Sequence, residues 1–351
     1  MSAPRLRVDD FAYELPPDAI AQVPAEPRDA SRLLILDRVN GRLDHARFRD
    51  IGGWLRAGDL LVVNDSRVMP ARLAATRDGG GAAELLVLRP LEGDPGRWEA
   101  LVRPSRRLPA GATVTLHSGD RVEVGERLTD GTRAVRFDRD PRAIMTEAGE
   151  MPLPPYIHDR SAPAERYQTV YARPPGSAAA PTAGLHFTPE LLASLTDHGV
   201  GRATVTLHVG LDTFRPLAGE FVDEHRIHRE WYEIPPGARE AIRNARAAGG
   251  RIVAVGTTAV RVLETSARAD EASGWTDLYI TPPHRFEAVD AMVTNFHLPR
   301  SSLLLLVTAF VQAGMAEASS FEARDAVLSA YREALAKGYR FFSFGDAMLI
   351  V

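Results

Sequence analysis

The feature that most constrains the fold is a change in the pattern of apolar and polar residues between residues 68 and 150. Over this stretch, short runs that alternate apolar and polar residues are separated by turns rich in glycine and aspartate. Strands at this spacing predict an antiparallel barrel or sandwich. The runs are residues 83–88, 98–102, 113–117, 121–124 and 133–137. The sequence therefore predicts an all-β domain inserted into a larger chain.

Outside this insert, strand and helix patterns alternate, and polar residues follow several strands. Residues 33–37 and 43–48 predict a hairpin with Asn40-Gly41 at its tip, and residues 60–64 predict a strand that runs into Asp65-Ser66-Arg67. Asn295 and His297 follow another apolar strand, ahead of a buried helix at residues 303–311 that Ser301 caps. Further strands are predicted at residues 166–171 and 339–344, the second ending at Gly345-Asp346. Polar residues at strand ends are candidate ligand contacts, or simply turn residues.

The stretch from residue 176 to residue 216 carries two histidines around a loop of small residues. His186 precedes a helix whose start is marked by Thr188 and Pro189, and a helix N-terminus favours a neutral imidazole. His208 ends a predicted strand that begins at residue 203. Both histidines are candidates for proton transfer, and the alternative is that both are structural.

Strand, Gly256-Thr257-Thr258 and helix follow one another at residues 251–263. This arrangement aims backbone N–H groups at an anion such as a carboxylate or a phosphate. The dinucleotide pattern GxGxxG is absent, so this segment does not predict a nicotinamide or flavin site.

Composition excludes several classes of protein. The 351 residues contain no cysteine, so disulfides, thiolate nucleophiles and cysteine-bound metals are excluded. The N-terminus has no apolar run and no apolar segment is long enough to span a bilayer, so we expect a cytoplasmic protein. A net charge of −4 requires that any nucleic-acid binding use a local patch.

Nine motifs spread over the chain resemble those of the S-adenosylmethionine:tRNA ribosyltransferase-isomerase family of queuosine biosynthesis. The most specific are PTAGLHFT at residues 181–188 and TNFHLP at residues 294–299. The others are residues 10–36, 58–73, 151–157, 165–172, 206–210, 255–264 and 339–350. The resemblance implies a mixed α/β core domain, residues 1–67 and 151–351, interrupted by an inserted antiparallel, Greek-key-like β-barrel domain at residues 68–150.

The family's activity implies the substrates. The ribosyl part of S-adenosylmethionine would be transferred to 7-aminomethyl-7-deazaguanine at the wobble position of tRNA and isomerised, giving epoxyqueuosine with adenine and methionine as the other products. S-adenosylmethionine would be a co-substrate, and no metal would be used. The macromolecular partner would be tRNA, and we expect the protein to be a monomer that does not associate with a membrane.

We expect the site residues at the family's motifs. A neutral base near the sulfonium would remove a proton from the adjacent ribose methylene. Either Asp65 or Asp346 would orient the imidazole of that base or contact the sulfonium. The candidate bases are His186, His208 and His297. The candidate binding residues are Asn64, Arg67, Arg166, Tyr167, Gln168, Thr182, Gly184, Phe187, Gly256, Thr257, Thr258, Arg261 and Asn295.

Four positions, at three places in the chain, depart from the family pattern, and three other functions compete with the family's. Asp212 replaces a glycine, Pro283-His284 replaces a Gly-aromatic pair, and Ser302 replaces a threonine. Asp212 adds a carboxylate beside the predicted site, which is the main argument for the alternative of a paralogue with a changed acceptor. The alternatives are tRNA binding without chemistry, methyl transfer from the same cofactor, and metal-dependent hydrolysis. The last would use His225 and His228, which are three positions apart and share a face only on a helix.

Overall fold

The computed structural model describes residues 5–128, 131–210, 217 and 219–351. Within these ranges, numbered along the chain, the strands are β1 (Arg32–Leu36), β2 (Leu43–Arg47), β3 (Leu60–Asn64), β4 (Arg67–Val68), β5 (Arg72–Arg77), β6 (Ala82–Pro90), β7 (Arg97–Arg103), β8 (Ala112–Leu116), β9 (Arg121–Arg127), β10 (Arg133–Phe137), β11 (Pro175–Ser177), β12 (Gly201–Leu207), β13 (Glu230–Glu233), β14 (Ile252–Val255), β15 (Ser273–Thr276), β16 (Ala291–Asn295) and β17 (Ala347–Ile350). The α-helices are α1 (Pro141–Ala148), α2 (Pro189–Asp197), α3 (Pro236–Ala247), α4 (Thr257–Ala269), α5 (Ser302–Gln312) and α6 (Ser320–Ala336).

The chain forms two compact units. The first consists of Met1–Ser66, Pro155–Pro174 and Pro181–Val351, and the second consists of Arg67–Pro154 and Pro175–Ala180. Arg67, one of the predicted binding residues, therefore belongs to the second unit, where β4 pairs with β11. The domain boundaries expected from the sequence stay a prediction.

A nine-stranded mixed sheet forms the centre of the first unit. Its strand order is β15-β13-β12-β3-β14-β16-β17-β1-β2. Every residue of β3, β14, β16 and β17 is buried, whereas the outermost strands β2 and β15 are partly exposed. Central strands covered on both faces read as continuous apolar runs, which is why these segments are rich in valine, leucine and isoleucine.

Helices begin and end in this unit where the sequence provides capping residues. The Thr188 hydroxyl accepts a hydrogen bond from the Leu191 N–H at the start of α2, and Gly199, at φ +81°, follows its end. Ser301 caps α5 in the same way, and α5 is buried along most of its length. No helix in the described ranges is both long and apolar enough to cross a bilayer.

The second unit is built on a closed six-stranded barrel. The order around it is β10-β7-β6-β5-β8-β9, and every pair is antiparallel. Because β8 returns to lie beside β5, the strands β8-β5-β6-β7 form a Greek key. Leu85, Val87, Val122 and Val124 are fully buried in its core. The mixed α/β fold with an inserted antiparallel β-barrel is confirmed, and so is the hairpin of β1 and β2.

The strand expected at residues 339–344 is wrong, because β17 begins only after Gly345-Asp346. The preceding residues form a tight turn, closed by hydrogen bonds between Arg340 and Asp346 in both directions. A side chain at Gly345 would lie 2.4 Å from the Arg340 carbonyl oxygen. Tyr339 and Phe341 give this segment its strand-like pattern, but they are buried in an aromatic cluster with Tyr331 instead.

The strand expected at residues 166–171 is also wrong. Residues Ala164–Tyr167 form a 3-10 turn, which is followed by a second local turn in which the Ala172 N–H donates to the Thr169 carbonyl. The backbone groups here are satisfied locally, so the segment does not join a sheet.

Candidate active site

Most polar residues that the sequence singled out lie at one edge of the nine-stranded sheet. β12, β3, β14 and β16 run parallel, so their carboxyl ends share an edge. His208, Asp65 and Gly256 directly follow the first three of these strands. β17 runs antiparallel to β16, so Asp346, directly before β17, lies at the same edge. We call this the carboxyl edge.

The His186 side chain is buried and links separate segments of the chain through hydrogen bonds. Its Nδ1 lies 2.8 Å from Ser31 Oγ, and its Nε2 lies 3.3 Å from Asn295 Nδ2. Burial, with smaller contributions from the Arg340 and Arg28 charges, lowers the pKa of His186 to about 3. Because the Asn295 amide donates to Nε2, this ring accepts no further proton unless that hydrogen bond breaks.

The loop that leads to His186 packs tightly against its surroundings. The Thr182 hydroxyl donates to Asn295 Oδ1 at 2.8 Å, so Thr182 and Asn295 belong to the same hydrogen-bond network as His186. A side chain on Gly184 would lie 2.1 Å from the Tyr171 hydroxyl oxygen, and Phe187 is fully buried in the core. The small residues of this loop therefore make room for neighbouring protein side chains.

His297 lies on the other face of the sheet. Its Nε2 lies 2.9 Å from Thr294 Oγ1, whereas His186 bonds Asn295. Successive side chains of a strand point to opposite faces, so these two histidines are separated by β16. Burial lowers the pKa of His297 to about 3, and its backbone N–H donates to the Tyr331 hydroxyl.

His208 differs from the other two histidines in its exposure, because His186 and His297 are buried. Its Nδ1 lies 2.7 Å from Ser66 Oγ, and its ring stacks on Trp231 with the centroids 5.3 Å apart. The side chain is only partly buried, and burial lowers the pKa of His208. No described residue hydrogen-bonds Nε2. With the proton on Nδ1, Nε2 carries a lone pair that can accept a proton.

The backbone on both sides of this ring is held in place. Before the ring, the Leu207 N–H donates to Asn64 Oδ1, and Asn64 Nδ2 donates to the Leu207 carbonyl, each at 3.0 Å. After it, the Gly210 N–H donates to Glu230 Oε1 at 2.6 Å. The other oxygen of Glu230 forms a buried ion pair with Arg261. These contacts give Asn64 and Arg261 a positioning role.

The two acids at the carboxyl edge are in different situations. Both oxygens of Asp346 accept backbone N–H groups, from Arg32 and from Arg340, each at 2.8 Å. That carboxylate is occupied by the fold itself. Asp65 accepts a hydrogen bond from the Thr206 hydroxyl at 2.7 Å, and burial raises its pKa. Asp65 is therefore the acid that a ligand at this edge would meet.

Three further predicted residues have partners within the protein. Arg166 forms an ion pair with Glu26 at 2.7 Å. Tyr167 is fully buried, edge-on to Phe344, and Gln168 is 2% exposed. Arg166 is thus already paired with a carboxylate, and Tyr167 contributes to the core.

Helix α4 begins at the carboxyl edge with an unusual backbone. Gly256 caps it at φ +91° and ψ 152°, a conformation that favours glycine, and Thr257 opens the helix. Three buried hydroxyls have no hydrogen-bond partner among the residues that the structure describes: Thr258 Oγ1, next to Gly256, and those of Thr169 and Tyr171, two residues that pack against Gly184. Buried polar groups are normally satisfied, so these hydroxyls mark a place where a polar ligand would fit.

Comparison with known proteins identifies the family. The model of the family described as queuosine biosynthesis protein matches residues 8–350. This chain belongs to that family. The recognition from the motifs is therefore confirmed.

Two curated members of the family align with this chain over its length, and both are named S-adenosylmethionine:tRNA ribosyltransferase-isomerase. The relative from Moorella thermoacetica is 52% identical and covers 99% of this chain and 100% of its own. The relative from Heliobacterium modesticaldum is 51% identical, with 97% and 98% covered. A crystal structure of S-adenosylmethionine tRNA ribosyltransferase from Thermotoga maritima matches with a TM-score of 0.56 at 42% identity, covering 97% of this chain and all of that chain.

The departures from the family pattern lie in different places. Asp212 falls outside the described residues. His284, which follows Pro283, has its Nε2 3.1 Å from an Arg268 nitrogen, and Ser302 is the first residue of α5. The expected effect of Asp212 on the acceptor stays a prediction.

Several site residues were missed because their partners are distant in sequence. The pairing of Ser66 with His208, the stacking of Trp231 on that ring and the anchoring of the following loop by Glu230 all join separate segments. A serine directly after a strand end was the available signal, but no local pattern links it to a histidine 142 positions later.

The alternative of a metal site at His225 and His228 required a helix, and the structure has none at these residues. Residues 225–229, all of which are described, adopt no regular structure, so the spacing of His225 and His228 does not place them on a helical face. Among the described residues, no group of three histidine or acidic side chains has a geometry that could hold a metal ion.

Proposed function

We propose that this chain transfers the ribosyl part of S-adenosylmethionine to 7-aminomethyl-7-deazaguanine at the wobble position of tRNA and isomerises it. The products are epoxyqueuosine in the tRNA, adenine and methionine. The observation that carries the proposal is the match to the enzyme's family along residues 8–350, with curated relatives about half identical over their entire length.

His208 is the base in this proposal. A sulfonium acidifies the neighbouring ribose methylene, so the reaction needs a neutral acceptor for that proton. Three features support this assignment: no described residue hydrogen-bonds Nε2 of His208, the Ser66 hydroxyl bonds its Nδ1, and the side chain is partly exposed. His186 and His297, both buried and hydrogen-bonded at Nε2, act as structural residues.

The methionine part of S-adenosylmethionine would lie at the start of α4. The first N–H groups of this helix and the Thr258 hydroxyl suit its carboxylate. Asp65, on the adjacent strand β3, suits a positive group of the same ligand, either the ammonium or the sulfonium. The unpartnered hydroxyls of Thr169 and Tyr171 supply further hydrogen bonds.

Three expectations accompany the function and stay predictions. The enzyme would need no metal, act as a monomer and work in the cytoplasm. Activity that survives a chelator and a single species in size-exclusion chromatography with light scattering would support the first two.

The test is to mix the purified chain with S-adenosylmethionine and a tRNA that carries 7-aminomethyl-7-deazaguanine, and to measure the small-molecule products. Adenine and methionine in equal amounts, dependent on the modified base, are the expected result. S-adenosylhomocysteine in their place would indicate a methyltransferase. If tRNA binds but no small molecule is released, the chain is a binding protein and the proposal fails.

A further inference from the structure

Three aromatic residues occupy neighbouring positions on or directly after three adjacent strands of the nine-stranded sheet. Trp231 of β13 lies directly opposite Trp275 of β15 in the antiparallel register. On its other side, the His208 N–H donates to the Trp231 carbonyl, and the two rings stack with an interplanar angle of 21°. We call His208, Trp231 and Trp275 the aromatic row. Because neighbouring strands lie about 4.8 Å apart, the row extends roughly 10 Å from the sheet edge to His208, the proposed general base.

The row lies on a face of the sheet that is not fully covered. On β12 the face shared with His208 carries the exposed Arg202, the half-buried Thr204 and the buried Thr206, while the opposite face carries the buried Ala203, Val205 and Leu207. An antiparallel region with one buried and one accessible face shows this alternation. This end of the sheet therefore leaves side chains of the aromatic row accessible to a ligand.

Trp275 is the exposed end of the row. Its side chain is 43% exposed, and it is the one aromatic among the large hydrophobic residues that are exposed in the described part of the chain. Burying a tryptophan is favourable, so a structural tryptophan would be expected deeper in the molecule. Its exposure next to a half-buried tryptophan and a histidine leaves part of this side chain accessible to a ligand.

An unpaired nucleobase fits this surface better than a protein side chain or a lipid. Single-stranded RNA is bound by stacking of its bases on aromatic side chains, with arginines contacting the phosphates. The exposed Arg229 directly precedes β13 and lies two positions before Trp231, whereas the exposed Arg202 lies about 20 Å from His208, near the start of β12. The row also ends at the histidine that would act next to the reacting base.

We propose that the aromatic row is a stacking platform for an unpaired nucleobase of the anticodon loop. This nucleobase is adjacent to the one that is modified next to His208. This inference rests on the proposed function, because that function supplies a tRNA substrate. It assigns to Trp231 and Trp275 a role in RNA recognition that is separate from proton transfer.

The test compares Trp275→Ala and Trp275→Tyr with the wild-type chain. Loss of stacking on one base is expected to raise KM for tRNA roughly ten- to a hundredfold in Trp275→Ala, with KM for S-adenosylmethionine unchanged. Trp275→Tyr keeps an aromatic face and should stay within about threefold of wild type. Val39→Ala is the matched control, because Val39 is also exposed, at 73%, but lies in the hairpin at the other end of the sheet.

A binding experiment separates the platform from the reaction. Anticodon stem-loops with 2-aminopurine at single loop positions should lose fluorescence when they bind wild-type protein, at one position most, and Trp275→Ala should remove that quenching. Unchanged KM for tRNA and unchanged quenching in Trp275→Ala would overturn the platform even if adenine is released normally. If the wild type releases no adenine, the proposed function fails, while quenching that depends on Trp275 would still support the platform.

Discussion

At the scale of single residues, the decisive difference among the three candidate histidines is burial, because only His208 is partly exposed. We expect His208→Gln to lower kcat for adenine release by roughly 10²- to 10⁴-fold, the usual contribution of a positioned general base. The fold should be unaffected, because the side chain is only partly buried. His297→Gln is the matched control, and it should reduce stability more than it reduces the rate of the chemical step. A His208→Gln enzyme that turns over at near-normal rate would show that another group removes the proton.

The pH profile gives an independent readout of the same residue. Burial lowers the pKa of His208 below its ordinary value, so the neutral, proton-accepting form prevails at neutral pH. Acidification protonates Nε2 and should reduce kcat/KM along a limb that lies below about pH 6.5. In His208→Gln that limb should disappear from whatever activity remains.

At the scale of elements, the loop after β12 depends on the ion pair between β13 and α4. Arg261→Leu would leave the buried Glu230 carboxylate unpaired, at a cost of about 3–5 kcal/mol, and would loosen its hold on Gly210. We expect both a lower free energy of unfolding in urea and a lower kcat.

The matched control for this pair lies at the other end of β3. Arg251 forms a partly buried ion pair of 2.6 Å with Asp59, so Arg251→Leu should also destabilise the fold. Because Asp59 precedes β3, at the edge away from His208, kcat should change little. Equal losses of kcat in the two variants would mean that the Arg261 pair has no specific effect on the site.

The sequence predicted the elements better than it predicted their partners. Local signals were sufficient for the caps at Thr188 and Ser301 and for the buried strands, because capping and periodicity are properties of adjacent residues. The turn before β17 was missed because buried Tyr339 and Phe341 imitate a strand pattern. The candidate site was predicted as residue types at strand ends, but which histidine stays partly exposed, and what bonds its ring, depends on tertiary contacts such as that of Ser66.

At the scale of the whole molecule, the buried histidines should make the fold sensitive to acid. His186 and His297 have pKa values of about 3 when folded and about 6.5 when unfolded. As the pH falls below 6.5, only the unfolded chain takes up these protons. Each histidine should therefore remove up to about 1.4 kcal/mol from the free energy of unfolding per pH unit, until about pH 3.

Urea unfolding between pH 7 and pH 5 measures this slope. His186→Gln removes one of the two groups, so its free energy of unfolding should fall less steeply with acidification, even though the variant starts from a lower value. The same slope in wild type and variant would contradict the assignment of a buried neutral ring.

The position of β17 in the sheet sets the order in which the molecule is completed. The first two strands join the other seven only through β17, and the Arg32 N–H and the Asp346 carboxylate that bond beside this junction are 314 positions apart. During synthesis, β1 and β16 each expose an unpaired edge until residues 347–350 have left the ribosome. Newly made chains of this enzyme should therefore be most vulnerable to aggregation just before their last strand is inserted, when chaperones would be of most use.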